Sequence, residues 1–183
     1  MPDIDEADES FPDLLRTQIR HGFTTAQQYL AAAVYFDSRR LPQLAGHAYD
    51  RSREHYGNSL RMVQYLLDRD LPVQIGGLDE IESTFESPRG AVASLLEIEQ
   101  VRSARISDLA HTARTSGDYL GERFIGWFLA DQVKNVAGMS TLLAVIDRAD
   151  GQLFDVEEFV ARETRPRPRT DIPAPKMAGA AKN

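Results

Sequence analysis

Apolar side chains recur at intervals of three and four along four long stretches of the chain, and proline, glycine or clustered charge interrupts each stretch where the period fails. The pattern predicts four long helices, over residues 13–38, 41–67, 88–115 and 118–148, and a short fifth over 153–162. In the first, Ala26, Leu30, Ala33 and Val34 form an apolar stripe, and Gln18, Gly22, Thr25 and Tyr29 run beside it. Leu44, Ala48, Met62, Val63, Leu66 and Leu67 mark the second. Ala93, Leu96, Val101, Ala104, Ile106 and Leu109 mark the third, and Phe124, Phe128, Met139, Leu142 and Ile146 the fourth. Pro12 and Pro88 suit first turns, and Gly117 suits a left-handed cap. Residues 70–87 lack helical periodicity and hold Pro72, Gly76 and Gly77. So long a link suits a crossover running the length of a bundle. The expected fold is all-α: a four-helix bundle with a long crossover between its second and third helices and a short fifth helix.

Composition changes the picture in three places. The 183 residues suit one domain. The absence of cysteine removes disulfides, thiolate metal sites and cysteine nucleophiles, and fits a reducing, cytoplasmic location. The net charge of −7 is divided, because residues 161–183 hold six Lys/Arg and two Asp/Glu while the remainder is acidic. An acidic body argues against nucleic acid as a ligand, and no apolar run is long enough to cross a membrane. Residues 1–10 read as a flexible acidic arm without the apolar core of a secretory signal. Residues 11–162 form the domain, and 163–183 read as a disordered, basic, Pro-rich tail.

Five strings carry more than periodicity: FTTAQQYLAAAVYFD, LPQLAGHAYDRS, MVQYLLDRDL, GDYLGERFIGWFLADQ and DRADGQLFDVEEFVARE. In this order, around the 70–87 crossover, they resemble the bacterial non-haem ferritins over about residues 11–162. The resemblance implies a ferritin-like bundle and a hollow shell of twenty-four subunits. It further implies iron(II) oxidation at a di-iron site in each bundle and storage of iron(III) in the cavity.

In that family the site takes a glutamate from the first helix, Glu-x-x-His from the second, a glutamate from the third and glutamine or glutamate from the fourth. Carried over residue by residue, the first position falls on Gly22 and the second pair on His55 and Asn58. Glu99 and Gln132 keep their positions. A further carboxylate position, used for a third iron, falls on Asn135. Two iron(II) ions bring four positive charges against one retained carboxylate. Glu54 sits about 100° round the helix from His55, and shifting the alignment by one residue would put Gly57 in the histidine position. The resemblance therefore implies a degenerate ferroxidase centre with no catalytic residues. Glu99, His55 and Gln132 are the candidates for residual metal binding, and Gly22, Tyr29, Asn58 and Asn135 are vestigial positions. Without metal, burial should raise the Glu99 pKa unless His55 pairs with it. A Glu99–His55 or Glu99–Tyr29 contact could serve as the internal polar link.

Asp118 and Glu122 begin the fourth helix, where ferritins line an iron channel; an ordinary solvated helix start fits them equally. Tyr56 stands where bacterioferritins would carry a haem-binding methionine, so no haem is expected. His21, His47 and His111 lack partners at metal spacing, and His21 is expected on the surface. The cavity-facing side of the second helix mixes signs at Arg51, Glu54 and Arg61.

Three readings follow. The first is a shell subunit without a working di-iron centre, structural or iron-storing, assembling with itself or with a catalytic paralogue. It would hold no tightly bound cofactor, only iron in the cavity. The second is a ferroxidase rebuilt from His55, Glu99 and Gln132 with Asp131 or Glu54. The third is a scaffold or cargo protein acting through a partner for its C-terminal tail.

Overall fold

The computed structural model describes residues 10–163 and 173–180. Residues 1–9 of the expected arm, and 164–172 and 181–183 of the expected tail, lie outside the described residues. Five helices follow one another: α1 (Phe11–Ser38), α2 (Pro42–Asp68), α3 (Pro88–Thr115), α4 (Tyr119–Ala149) and α5 (Leu153–Glu163). Their bounds fall within two residues of the periodicity, and α1 packs along α2, α3 along α4, and α1 on α3. None is long and apolar enough to cross a membrane.

Three helices start as their sequences predict. The Ser10 hydroxyl accepts from the Asp13 N–H ahead of α1, and Ser87 Oγ accepts the Gly90 N–H at 3.0 Å ahead of α3. Asp118 Oδ1 accepts the Gly121 N–H at 2.9 Å ahead of α4. Each satisfies an amide that a helix start leaves unpaired. Gly117 turns the chain into α4 at φ 73°, a conformation glycine adopts at little cost.

Helix α2 starts differently. Leu41 offers no capping side chain. Glu157 of α5 supplies the cap from across the fold, its carboxylate accepting the N–H groups of Gln43 at 2.8 Å and Leu44 at 2.9 Å. Val156 and Val160 are buried against the core and hold α5 at that distance.

The crossover is fastened to successive turns of α1. Arg16 Nε donates to the Pro72 carbonyl at 2.7 Å, and Thr24 Oγ1 accepts the Asp79 N–H at 3.2 Å. The Gln28 amide clamps Glu82, donating to its carbonyl at 2.7 Å and accepting its N–H at 2.9 Å. An irregular backbone thus finds partners that no ladder would give it.

The buried apolar residues form two clusters. One gathers Tyr29, Phe36, Leu44, Leu95 and Val156; the other gathers Phe11, Leu15, Leu66, Ile106 and Phe128. A polar layer lies between them along the bundle.

That layer explains two corrections. Leu30 and Val34 are exposed, at 37% and 55%, while Gln18, Gly22, Thr25 and Tyr29 are buried. On α3, Val101 and Ala104 are exposed, and the buried line runs through Val92, Leu95, Glu99, Arg102, Ile106 and Leu109. Ala26, Ala33, Ile106 and Leu109 are buried as expected, Leu67 of α2 is exposed, and the inward rows of α1 and α3 are turned toward their polar side chains, which on α3 include the charged Glu99 and Arg102.

A third finding concerns the tail. Within the stretch expected to be disordered, residues 173–180 lie along α2. The Ala178 N–H donates to the Leu60 carbonyl at 3.1 Å, and the Arg61 guanidinium donates to the Pro175 carbonyl. Ala178 packs against the Phe11 cluster.

Replacing Glu157 by alanine should cost about 1–2 kcal/mol, in the range of a lost helix cap. Amide exchange should quicken at Gln43 and Leu44 while the cap of α3 is unaffected.

Candidate functional site

The polar layer draws Gly22, Thr25 and Tyr29 from α1, His55, Asn58 and Ser59 from α2, Glu99 and Arg102 from α3, and Gln132 from α4. Helical spacing puts each group on its helix's inner face. The carboxylate of Glu99 is wholly buried at the centre. Its Oε1 accepts from the Tyr29 hydroxyl at 2.7 Å, from Arg51 Nη2 at 2.9 Å and from His55 Nε2 at 2.9 Å. Its Oε2 accepts from Gln132 Nε2 at 2.7 Å. Gln132 in turn accepts, through Oε1, from Arg102 Nε at 3.0 Å.

Burial opposes the charge on Glu99. The His55 hydrogen bond and the Arg51 guanidinium overcome it, with Gln132 adding to them, and hold the carboxyl well below its usual range. The rise expected for an isolated buried acid does not occur, because His55 does pair with it. His55 itself is held down to about 4, first by burial, with Arg102 and Arg51 adding to the fall against the pull of Glu99. It is therefore neutral at pH 7, with Nε2 donating to Glu99 and Nδ1 left without a partner. Its ring stacks on Tyr29 at 5.0 Å. Burial, with Glu99 adding to it, pushes the Tyr29 hydroxyl well above 10 and keeps it a donor. Arg51 is charged: burial works against it, but Glu54 and Glu99 hold it above its ordinary range.

The Glu99 carboxylate is therefore satisfied by side chains on both oxygens. One carboxylate receives four donors, one of them a guanidinium, and a second guanidinium stands one residue away through Gln132. The space at Gly22 is also taken. A Cβ placed there would lie 2.2 Å from Ser59 Oγ and 3.7 Å from Arg102 Nη1. Among the described residues, no group of three or more His, Cys, Asp or Glu stands together in a way that could hold a metal ion.

Of the remaining expected positions, Asn58 lies in the layer and the others lie outside it. Asn58 is buried but makes no side-chain hydrogen bond among the described residues. Asn135 Nδ2 lies 3.4 Å from Asp131 Oδ2. Glu54 is exposed and pairs with Arg51 at 2.6 Å. Asp118 pairs with Arg69 at 2.8 Å and Glu122 with Arg114 at 2.7 Å. Tyr56 is half exposed against Phe23, with ring centres 5.1 Å apart. His21 departs from its expected surface position: it is only 17% exposed and meets Asp79 at 3.3 Å.

Sequence reasoning missed both arginines of the layer. It placed Arg51 on the cavity side and passed over Arg102. The signal was present, since Arg51 stands four residues before His55 and Arg102 three residues after Glu99.

Comparisons with known proteins agree with this architecture. Residues 12–149 match the family model described as a ferritin-like domain. Ferritin BfrB of Mycolicibacterium smegmatis is 47% identical over 174 residues, covering 95% of this chain and 96% of that protein. A bacterial non-heme ferritin of Staphylococcus aureus is 25% identical over 136 residues, covering 74% of this chain and 82% of that protein. Among solved structures, an open pore ferritin from Archaeoglobus fulgidus superposes with a TM-score of 0.81 over 90% of this chain and all of that one, at 22% identity.

Two predictions follow from the buried layer. Replacing Glu99 by glutamine removes the charge that Arg51 faces and should cost about 3–5 kcal/mol, the range for breaking a buried pair from one side; chemical denaturation would measure it. The second concerns pH. A histidine held near 4 when folded and near 6.5 when unfolded lets the unfolded chain bind the extra proton between those values. Stability should then fall as pH drops from 6.5 toward 4, by about 1 kcal/mol per pH unit. A His55→Gln variant should show a shallower slope over that window in thermal unfolding.

Proposed function

The chain belongs to the ferritin family, and from that premise we propose that it is a shell subunit whose own ferroxidase centre has been replaced by an ion-paired polar layer. It takes a structural or iron-storing part in the shell. The oxidation of iron(II) is supplied by a catalytically active ferritin chain assembled with it.

The observation that carries the reading is the place of the two guanidiniums. Arg51 sits directly on Glu99, and Arg102 reaches toward the space beside Gly22 where a first-helix carboxylate would stand. A pair of iron(II) ions needs several anionic oxygens from facing helices. This layer offers one carboxylate whose oxygens are already taken, a neutral imidazole, two amides and two fixed positive charges. The residues present do not fit a di-iron pair. The same charge count weighs against the rebuilt-centre reading, because Glu54 is paired with Arg51, Asp131 lies beside Asn135, and both carboxylates act on the fixed positive charge of Arg102.

Assembly is supported by apolar side chains left on the outside of the subunit. Tyr119, Leu120, Val133 and Phe154 are each at least two-thirds exposed, which suits contact with neighbouring subunits. Asp118 and Glu122 are engaged by Arg69 and Arg114, which favours a helix-start role over an acidic iron channel. The docking of residues 173–180 on α2 favours a tail that belongs to the subunit over one held free for a partner.

Aerobic oxidation of iron(II), added at a few equivalents per subunit, tests the proposal. The native chain should match buffer while eluting as an assembly. A variant carrying Gly22→Glu, His55→Glu and Asn58→His, with Ser59→Ala to clear the contact at Gly22, should gain rate. Rapid, saturable oxidation by the native chain would sink the reading.

A further inference from the structure

Between α1, α3 and the crossover lies an open cavity of about 300 Å³. Its lining draws nothing from α2 or α4. It holds two buried polar side chains that the protein leaves without full partners. Arg102 is 4% exposed and donates through Nε to Gln132; its terminal nitrogens have no hydrogen-bond or ion-pair partner among the described residues. Gln18, on the α1 wall, is 3% exposed and makes no side-chain hydrogen bond among the described residues. Arg105, three residues beyond Arg102 and therefore on the same side of α3, lines the cavity from an exposed position and pairs with no carboxylate among the described residues.

The other polar groups around the cavity are already engaged. Thr25 Oγ1 donates to the His21 carbonyl at 2.9 Å, and Thr24 and Gln28 hold the crossover. Asp79 faces Arg20 at 3.2 Å and His21 at 3.3 Å. Burial, with Arg105 adding to it, lowers the His21 pKa and favours its neutral form. Glu80 and Glu97 also line the cavity, both exposed to water, where their charge is screened. The deep end therefore presents a guanidinium and a carboxamide with unused hydrogen-bonding capacity. A buried guanidinium whose terminal N–H groups meet no carboxylate directly is costly, and a cavity that reaches it provides a place for an anion.

We propose that this cavity binds one small inorganic oxyanion of the phosphate class. Its oxygens accept from the terminal N–H groups of Arg102 and from the Gln18 amide, with Arg105 at the rim. A planar guanidinium fork matches two oxygens of such an anion, and the second arginine adds charge without needing burial. The anion supplies the direct ion pair that the terminal nitrogens of Arg102 lack among the described residues; Glu99 acts on them only from beyond Gln132. Its binding is separate from iron chemistry and from the loss or retention of the ferroxidase centre.

The test is equilibrium dialysis of inorganic phosphate against the iron-free assembled protein at constant ionic strength. Saturable binding near one phosphate per subunit is expected, displaced by sulfate and not by acetate. Arg105→Gln and Gln18→Leu should each weaken it about tenfold, the effect of one good charge-assisted or polar contact. Arg102→Gln should abolish it. If Arg102→Gln does not fold, the two milder variants decide: weakened binding in both supports the site, and unchanged binding in both overturns it. Absence of saturable binding to the native protein overturns the proposal, as does binding that survives in folded Arg102→Gln. Equal displacement by acetate overturns the assignment to a tetrahedral anion.

Discussion

A carboxylate buried in the middle of a helical bundle must be answered on every side, and the answer given to Glu99 shapes the rest of this molecule. Tyr29, His55, Gln132 and Arg51 come from three different helices to meet it. Each donor ties its helix to α3 at a fixed height. A hydrophobic core tolerates sliding by one turn far better than a set of directional bonds does, so this layer acts as a register pin between two apolar halves. Polar groups in that position are weak evidence for stability and better evidence for uniqueness of packing.

The same layer shows how a bundle can keep a buried carboxylate using only side chains as its partners. A vacated site would leave acids repelling one another in a dry interior. Here α1 presents Gly22 and α2 presents His55 and Asn58 to the layer, and its positive charge is carried by Arg51 and Arg102. Ser59 fills the volume beside Gly22, so removal of the side chain there leaves a packed contact. Residues far apart in the sequence on α1, α2 and α3 meet in one place and complement one another.

Much of this was legible in the residues. Helix bounds followed from period and punctuation, and the long crossover from a stretch with none. Of the positions singled out in the sequence, Gly22, Tyr29, His55, Asn58, Glu99 and Gln132 meet in the polar layer, and Asn135 lies beside Asp131 instead. The buried face of α3 was misplaced because apolar content was used to find it, and the row that turns inward carries Glu99 and Arg102. Helical spacing puts Arg51 beside His55 and Arg102 beside Glu99, but their partners depend on which way a long side chain bends, which spacing alone leaves open. The capping of α2 by Glu157 was equally hidden, since it joins residues more than a hundred positions apart and leaves no local signature.

That cap bears on the order in which the chain can take shape during synthesis. The first turn of α2 emerges from the ribosome long before the glutamate that completes it, which follows 113 residues after Leu44. Until then its leading amides face water, and the α1–α2 hairpin has an open end. The closing step belongs to α5, so the second helix is finished only when nearly the whole domain has been made. A nascent chain stalled short of Glu157 would carry two well-formed hairpins with one loose end, and a chain released there would be the species that proteases find first.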